Sequence, residues 1–297
     1  MKFAMSGSTG LIGKALSQQL RQAEHQVVAL VRDESQATDA MHCWWQPERG
    51  IRQPEKLQGI DAVVHLAGRG IADHRWTDQE KKLMRQSRVD ATQRLCDELN
   101  QLPEPPATFV SASAVGIYGD CGDELVTEQH AAGDSFLARM AVDWEAASEP
   151  LALLGMRVVH ARFGMVLSPD GGALAKMLPL FRLGLGGRFG SGRQYWSWIS
   201  LSDTVRALEF LLTNAGCRGA FNVVAPHPVT NAEFTRDLAR AVHRTRFFPA
   251  PTFALRWMFG EMADATLLSS CRALPERLKS CGFEFSDPTL PEALAGY

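Results

Sequence analysis

Three glycines spaced three residues apart stand near the start of the chain, in the segment GSTGLIG at residues 7–13. A glycine-rich turn between a strand and a helix can present unpaired backbone N–H groups to the phosphates of a dinucleotide. Gly7 then permits the sharp turn, Gly10 lets the backbone approach a pyrophosphate, and Gly13 lets helix and strand pack closely. The same residues also suit a purely structural turn, so the flanking segments decide between the two interpretations.

The segments on either side of this loop have the periodicities of a strand and a helix. The run Lys2–Ser6 is short, apolar and of strand length. After the loop, Ile12, Leu16 and Leu20 recur at every fourth residue, which predicts an amphipathic helix that ends near Gln22. The loop therefore joins a predicted strand to a helix N-terminus, as a dinucleotide site requires.

A basic residue follows the second predicted strand, Gln26–Val31. In dinucleotide folds, an acidic residue about 20 residues past the loop grips the ribose 2′-hydroxyl of NAD. Here Val31 stands at that place and Arg32 follows, and an arginine fork suits the 2′-phosphate of NADP. We therefore expect NADP(H) as the cofactor. Asp33 keeps NAD as an alternative, and an arginine at a strand end is often only a solvated side chain.

The composition is that of an ordinary globular protein. The 297 residues are 45% hydrophobic and 22% charged, and 31 basic and 33 acidic residues give a formal net charge of −2. This balance does not favour nucleic acid or an anionic membrane as a partner. The six cysteines form no CxxC motif, which argues against a disulfide framework or a metal site. We expect a cytoplasmic protein with no signal peptide, no membrane span and a small-molecule substrate.

Strand-like runs alternate with helical patterns along the rest of the chain. Four further runs are predicted strands: residues 61–67, 107–111, 156–161 and 220–224. Helices are predicted over about 83–99 and 135–154. This alternation predicts an α/β fold, a Rossmann-type doubly wound parallel sheet whose ligand lies at the carboxyl ends of the strands.

The chain is predicted to divide near residue 167. Residues 1–167 form the NADP-binding Rossmann domain, to which a strand near 220–225 returns. Residues 168–297 mainly form a smaller C-terminal substrate lobe. A weak homodimer is expected through the helices near 80–100 and 135–154, although their outward faces carry basic side chains that could repel: Lys81, Lys82, Arg85 and Arg139.

With its segments in this order, the chain resembles the extended short-chain dehydrogenase/reductases, the superfamily of the nucleotide-sugar epimerases and dehydratases. GSTGLIG resembles their glycine loop, VVHLAG their third strand, SASAVGIYG their catalytic-serine segment, and WSWISLSDTVRAL and GAFNVVAP two later segments. Two longer stretches, GRGIADHRWTDQEKKLMRQSRV and GEMADATLLSSCRALPERLKSCGFEFSDPTLPEAL, are similar to the YfcH-like "epimerase family proteins", an atypical branch. The resemblance covers almost the whole chain.

The resemblance implies a cofactor site along the strand ends. The residues that it implies are Gly7, Thr9, Gly10, Leu11, Ile12, Gly13, Val31, Arg32, Leu66, Ala67, Gly68, Arg88, Ser111 and Val166. Arg88 stands where the extended enzymes usually carry an asparagine that faces the cofactor. It either reaches an NADP phosphate or forms a surface ion pair.

The acid–base pair of the superfamily is missing. Its chemistry needs Tyr-x-x-x-Lys, because the lysine and the oxidised nicotinamide lower the tyrosine pKa from about 10. None of the three tyrosines has a lysine four residues later. The expected places on the helix hold Phe136 or Leu137, then Met140 or Ala141.

Two polar residues remain as catalytic candidates, Ser113 to hydrogen-bond a carbonyl oxygen and Tyr118 to supply a proton. Tyr118 alternatively shapes the substrate cleft. Three accounts of function stay open: an epimerase-like oxidoreductase, a non-catalytic NADP(H)-binding sensor or regulatory protein, and a structural protein that its nucleotide stabilises.

The substrate side is predicted in the glycine- and aromatic-rich segment 184–198. Arg188 and Arg193 are candidates for pairing with an anion, and Trp196 and Trp198 for stacking on a ring. The alternative is a hairpin that packs its two tryptophans onto the core.

Overall fold

The computed structural model describes residues 1–244 and 249–296. Fourteen strands occur in these residues: β1 (Lys2–Ser6), β2 (Gln26–Val31), β3 (His42–Gln46), β4 (Gly50–Ile51), β5 (Ala62–His65), β6 (Thr108–Ala114), β7 (Leu125–Val126), β8 (Arg157–Phe163), β9 (Met165–Leu167), β10 (Tyr195–Trp196), β11 (Trp198–Ser200), β12 (Gly219–Val223), β13 (Val229–Thr230) and β14 (Arg272–Ala273). Eleven α-helices occur in the same residues: α1 (Leu11–Gln22), α2 (Asp78–Arg85), α3 (Ala91–Asn100), α4 (Phe136–Ala146), α5 (Glu149–Leu153), α6 (Gly172–Arg182), α7 (Leu201–Thr213), α8 (Asn231–Ala241), α9 (Thr252–Phe259), α10 (Glu276–Ser280) and α11 (Leu290–Ala293).

The central sheet has eight strands in the order β12-β8-β6-β5-β1-β2-β3-β4. All neighbouring pairs are parallel except the edge pair β3–β4. The order reverses at β1, because β2 and β3 extend the sheet to one side and β5, β6, β8 and β12 to the other. The predicted doubly wound, Rossmann-type sheet is confirmed. Sheets of this kind bind ligands where the order reverses, here at the carboxyl ends of β1 and β5.

Alternation along β1 buries side chains on both faces of the sheet. Phe3 and Met5 pack in one apolar cluster with Leu16 of α1. Ala4, between them, packs in a second cluster on the opposite face with Leu95 of α3. Because successive side chains of a strand point to opposite faces, these two clusters fix the register of β1 and so the position of the loop that follows it.

The predicted bounds of β1, β2 and α1 are confirmed, whereas both long helices are interrupted. The helix predicted over 83–99 consists of α2 and α3, joined by a π-helical turn at Gln86–Asp90. The helix predicted over 135–154 ends at Ala146, and α5 starts anew with Pro150 in its first turn. Proline has no N–H to donate and is tolerated there, but not inside a continuous helix.

The C-terminal residues surround a third apolar cluster, which includes Trp196, Trp198 and Phe234. In residues 1–244 and 249–296, no helix combines the length and the apolar content that a membrane span needs.

Candidate functional site

The start of α1 presents backbone N–H groups at the carboxyl end of β1. Gly10 precedes the first helical residue, Leu11, and it caps the helix without any side-chain hydrogen bond. The first turn of α1 carries no acidic residue. Thr9 and Gly10 lie on the surface. The positive end of the helix dipole and its first N–H groups therefore face outward with no internal anion, which is the arrangement that a phosphate group requires.

Close contacts explain two of the three glycines in the loop. Gly7 has a φ of 71°, and a methyl group on it would lie 2.8 Å from the carbonyl carbon of Leu66 and 2.9 Å from the amide nitrogen of Ala67. A methyl group on Gly13 would overlap the backbone of Gly7. Gly10 differs, because a methyl group there would meet only the Gly7 carbonyl oxygen, at 3.3 Å. Its outer side is open to a ligand.

A hydrogen-bonded pair holds the end of β5 beside this loop. Ser6 Oγ lies 2.6 Å from His65 Nδ1, and the backbone N–H of Ala67 donates to the same hydroxyl over 3.3 Å. His65 is fully buried, and burial lowers its pKa to about 4, so its ring is neutral. The structure thus brings the predicted segment Leu66–Gly68 to the glycine loop through two residues that sequence reasoning missed.

The end of β2 leaves the Arg32 side chain exposed. Its carbonyl oxygen accepts hydrogen bonds from Trp44 Nε1 at 3.2 Å and Gln46 Nε2 at 2.6 Å, which fixes the backbone. Within the described residues, its guanidinium forms no ion pair. Asp33 instead accepts from Ser35 N at 3.0 Å, and the hydrogen bonds of Ser35 hold the pKa of Asp33 below its usual value.

Val31 itself does not contribute a side chain to a ligand site. It is 6% exposed and packs in a small apolar cluster with Ala29, Ala37 and Trp44. The prediction that Val31 contacts the cofactor is therefore wrong for its side chain. The pleat of β2 turns that side chain into the protein.

Arg88 lies in the π-helical turn between α2 and α3. Its Nη2 donates to the carbonyl oxygen of Arg69 over 2.8 Å, and its Nη1 donates to that of Met84 over 3.3 Å. Its guanidinium lies 5.2 Å from the ring of Trp144 and next to Gly68. The alternative of a surface ion pair is wrong, because Arg88 is half-buried and no carboxylate of the described residues pairs with it.

The two predicted serines of β6 do not reach the cleft. Ser111 and Ser113 are 0% and 2% exposed. Ser113 Oγ donates to Glu145 Oε1 over 2.6 Å, and Ser111 Oγ donates to the carbonyl oxygen of Ala112 over 3.2 Å. The alternation of β6 points both side chains toward α4, so neither hydroxyl is available to a cofactor or a carbonyl substrate.

Tyr118 is buried in a polar network rather than exposed to a substrate. It is 3% exposed, its hydroxyl donates to Asn222 Oδ1 over 2.7 Å, and Arg162 Nη1 donates to the hydroxyl over 2.9 Å. Burial raises the pKa of Tyr118 to about 12. A proton donor that works near neutrality needs the opposite shift, so the catalytic assignment of Tyr118 is corrected to a structural one.

The network centres on an ion pair that sequence reasoning missed. Arg162 donates to both carboxylate oxygens of Glu145 at 2.8 Å. Burial alone would raise the pKa of Glu145, but the hydrogen bonds and charge of Arg162 outweigh burial and lower it. Arg162 directly follows a predicted strand, but nothing in the sequence identifies Glu145, on α4, as its partner.

Apolar side chains occupy the face of α4 where the superfamily carries its acid–base pair. Met140 packs with Trp76, Met84 and Met262, and Phe136 meets the Trp76 ring edge-on at 5.6 Å between centroids. Met262 belongs to the C-terminal segment. No group that transfers protons stands at these positions of α4.

The turn between β9 and α6 closes the other side of the glycine loop. A methyl group on Gly171 would lie 3.4 Å from Leu11 Cδ1, so Leu11 contacts this turn. Val166, in β9, is half-buried and pairs with Ile199 of β11. A methyl group on Gly172 would lie 3.6 Å from the Val166 carbonyl oxygen and 3.7 Å from Leu11 Cδ2, so both residues border this turn. Their contact with a cofactor stays a prediction.

The two tryptophans predicted to contact substrate belong to the core. Trp198 is 0% exposed and donates from Nε1 to the carbonyl oxygen of His227 over 3.0 Å. Trp196 is 8% exposed and packs edge-on against Phe189 and Phe234. The substrate assignment of both is corrected, because both pack into the core. They do so from two separate strands, β10 paired with β13 and β11 paired with β9, so the predicted hairpin is wrong as well.

The two arginines predicted on the substrate side are exposed. Arg188 borders a cavity of about 320 Å³ that Thr235, Arg236 and Pro249 also line. Arg193 stays on the surface outside that cavity. The two arginines do not line this cavity together, and their contact with a substrate stays a prediction.

Comparison with known proteins agrees with this architecture. Residues 4–224 match the NAD dependent epimerase/dehydratase family, and residues 250–296 match a domain of unknown function. An epimerase family protein of Mycobacterium bovis is 47% identical over 99% of this chain and 96% of its own length. The epimerase family protein YfhF of Bacillus subtilis is 36% identical over 99% and 97%.

A solved structure resembles the whole chain. The human epimerase family protein SDR39U1, crystallised with NADPH, superposes with a TM-score of 0.89 at 32% identity, over 99% of this chain and 98% of that one. The resemblance drawn from the glycine loop, the strand ends and the C-terminal stretch is confirmed: the chain belongs to the NAD-dependent epimerase/dehydratase family, in its epimerase-like, atypical branch.

Proposed function

We propose that this chain is an NADP(H)-binding, epimerase-like oxidoreductase that acts on a small molecule. The observation that carries the proposal is the start of α1, where no side chain caps the first N–H groups; it lies at the reversal point of the sheet, with Gly10 on the surface. Backbone N–H groups and the helix dipole favour a pyrophosphate at this place. The residues present therefore fit the cofactor.

Arg32 supports NADP(H) rather than NAD(H). Its exposed guanidinium stands at the end of β2, one strand from the glycine loop. The acidic side chain beside it, Asp33, turns Oδ1 to the backbone N–H of Ser35 at 3.0 Å. The NADPH in the structure of human SDR39U1 supports the same choice.

Bound NADP(H) supplies or accepts a hydride at its nicotinamide ring. The glycine loop would hold the pyrophosphate, and Arg32 would hold the 2′-phosphate. Leu66–Gly68 and Val166 would lie beside the other parts of the cofactor. The protein's contribution on this account is binding and orientation.

One observation favours a second candidate, a non-catalytic NADP(H)-binding sensor or regulatory protein. Ser113 and Tyr118 are buried, and their hydroxyl groups donate hydrogen bonds to Glu145 and Asn222. Phe136 and Met140 of α4, at the places of the acid–base pair, pack in an apolar cluster with Trp76. A protein that only reports the redox state of its nucleotide needs no proton donor at these positions.

Two measurements on the native protein test the proposal and separate the candidates. Mass spectrometry of the nucleotide released from the purified protein is expected to find NADP(H); release of NAD(H) alone would contradict the proposal. Protein loaded with NADPH is then mixed with a panel of aldehydes, ketones and nucleotide sugars, and the nicotinamide fluorescence is followed. Hydride loss to any member supports the oxidoreductase, whereas tight binding without hydride loss supports the sensor.

A further inference from the structure

Two half-buried cysteines from distant parts of the chain lie against the same turn. Cys121 lies in the loop after β6, and Cys271 directly precedes β14 in the C-terminal segment, residues 250–296. Both are free thiols. Cys121 Sγ lies 3.4 Å from the Tyr118 carbonyl oxygen, and Cys271 Sγ lies 3.7 Å from that of Val115. Val115 and Tyr118 begin and end one 3₁₀-helical turn, so both thiol groups point at the same short segment.

One backbone hydrogen bond places the two cysteines opposite each other. The N–H of Cys121 donates to the carbonyl oxygen of Ser270, the residue before Cys271, over 2.8 Å. Standard bond lengths then limit the distance between the Cα atoms of Cys121 and Cys271 to about 7 Å, and backbones paired in this way usually lie about 4.8 Å apart. A disulfide joins Cα atoms that are about 4.4–6.8 Å apart. The pair therefore meets the backbone requirement for a disulfide.

Hydrogen bonds on both segments hold these two backbones in place. The N–H of Cys271 donates to the carbonyl oxygen of Tyr195 over 3.0 Å, and the carbonyl oxygen of Cys271 accepts from Ser197 Oγ over 2.8 Å. The carbonyl oxygen of Cys121 accepts from the N–H of Glu124 over 3.0 Å. Formation of a disulfide thus requires rotation of two side chains and no rearrangement of the backbone.

The other four cysteines offer no second pair of this kind. Cys43, Cys96 and Cys217 are at most 1% exposed, so an oxidant in solution does not reach them in the folded protein. Cys281 is half-buried, but it packs in the apolar cluster that contains Cys217. Among the described residues, Cys121 and Cys271 are the two partly exposed cysteines that share one apolar cluster.

Burial affects both the rate of oxidation and the stability of the product. It raises the pKa of both thiols, to about 12 for Cys271. Few thiolates therefore exist at neutral pH, and oxidation accelerates as the pH rises. Because burial does not stabilise the thiolates of the reduced form, the disulfide resists reduction once it has formed.

We propose that Cys121 and Cys271 form a reversible disulfide that ties the C-terminal segment to the loop after β6, with glutathione disulfide as the oxidant. Exposed residues flank Cys121, so its thiolate attacks first, which forms a mixed disulfide and releases one glutathione. Cys271 then loses its proton to solvent and attacks the Cys121 sulfur, which releases the second glutathione. The two cysteines lose two electrons and two protons, and glutathione disulfide gains them.

The test is oxidation of the full chain by glutathione disulfide at several pH values from neutral to about 9. After the remaining thiols are alkylated, peptide mapping by mass spectrometry is expected to find Cys121 linked to Cys271, with faster formation at higher pH. The link is expected to raise the urea midpoint of unfolding, because it constrains the unfolded chain, and dithiothreitol is expected to reverse both changes.

Three serine variants show which cysteines are responsible. Cys121→Ser and Cys271→Ser should each abolish the link and the shift of the midpoint. Cys281→Ser, another half-buried cysteine of the C-terminal segment, is the matched control and should retain both. If Cys271→Ser does not fold, Cys121→Ser decides.

Three results would overturn the proposal. The first is a stable glutathione adduct on Cys121 with no link to Cys271 at any pH. The second is a link between Cys217 and Cys281 that persists in Cys121→Ser. The third is a link between Cys121 and Cys271 that lowers the urea midpoint, because such a link would form only by distorting the native fold.

Discussion

The hydroxyl group of Tyr118 donates a hydrogen bond to the amide oxygen of Asn222, a residue 104 positions later in the chain. Arg162 donates to the same hydroxyl, so both the donor and the acceptor capacity of the hydroxyl are used inside the protein. The tyrosine best placed in the sequence to supply a proton thus connects β12 to the segment after β6. Any chemistry at this site has to draw its proton from elsewhere.

Replacing Tyr118 by phenylalanine is expected to destabilise the fold without changing cofactor affinity. The change removes the hydroxyl that Asn222 Oδ1 accepts from and that Arg162 Nη1 donates to, and the loss of these buried hydrogen bonds costs about 1–3 kcal/mol of unfolding free energy. Urea denaturation and NADPH titration measure the two quantities. A variant of unchanged stability that has lost hydride transfer to a substrate would restore Tyr118 as the proton donor.

Replacing Gly10 by valine is expected to abolish binding of both NADPH and NADH while the circular dichroism stays that of the wild type. Gly10 has φ −74° and ψ 169°, which valine adopts readily, and its outer side is open. Gly7→Val is the informative contrast: at φ 71° and against Leu66 it should lower the unfolding free energy as well. Retention of nucleotide affinity in folded Gly10→Val would reduce the loop to a structural turn.

Stability is expected to fall as the pH drops from about 6.5 to 4. His65 has its pKa lowered to about 4 by burial, whereas the unfolded chain binds a proton near 6.5. In this window the unfolded state holds more protons, so the unfolding free energy rises with pH, by on the order of 3 kcal/mol across it.

The matched test for this pH dependence is denaturation of two histidine variants. His65→Gln should reduce the slope, although not abolish it, because burial also lowers the pKa of His160. His227→Gln, on the surface, should keep the slope of the wild type. An unchanged slope in His65→Gln would mean that His65 is not buried in the neutral form.

A weak homodimer through α2–α3 and α4–α5 stays a prediction, and the structure reduces the expected repulsion between its basic side chains. Lys81 pairs with Glu261, and Arg85 pairs with Asp143 within one chain, so two of the basic side chains that could repel are already neutralised. Sedimentation equilibrium over increasing protein concentration measures the association. A monomer at the highest concentration would contradict the prediction.

Local patterns predicted the parts of the fold that are built from local contacts. The spacing of Leu16 and Leu20 predicted where α1 ends, and the apolar runs predicted the bounds of β1 and β2; the structure has the same bounds. β3 escaped prediction, because only Cys43 and Trp45 are buried in it, and the adjacent Trp44 hides this alternation in the sequence. The π-helical turn around Arg88 has no periodicity of its own, so the sequence there predicts a continuous helix.

Contacts between distant segments determine which of the predicted site residues lie at the candidate site. The glycine loop and the strand ends meet because the sheet order brings them together, and that order follows from the alternation of elements. Whether Ser113 and Tyr118 face a ligand depends on Glu145 and Asn222, whose positions only the folded chain reveals. The composition of segment 184–198 could not tell a stacking surface from side chains packed in the core, because tryptophan suits both.

The central claim is that Arg32 selects NADP(H), and titration calorimetry of NADPH and NADH tests it most directly. Arg32→Ala removes charge-assisted hydrogen bonds worth about 1.5–3 kcal/mol each, so NADPH should bind about tenfold or more weakly and NADH nearly unchanged. Arg21→Ala, at the far end of α1, is the control and should change neither affinity. The account predicts that the wild type prefers NADPH by at least that factor; equal affinity of the wild type for the two nucleotides would contradict it.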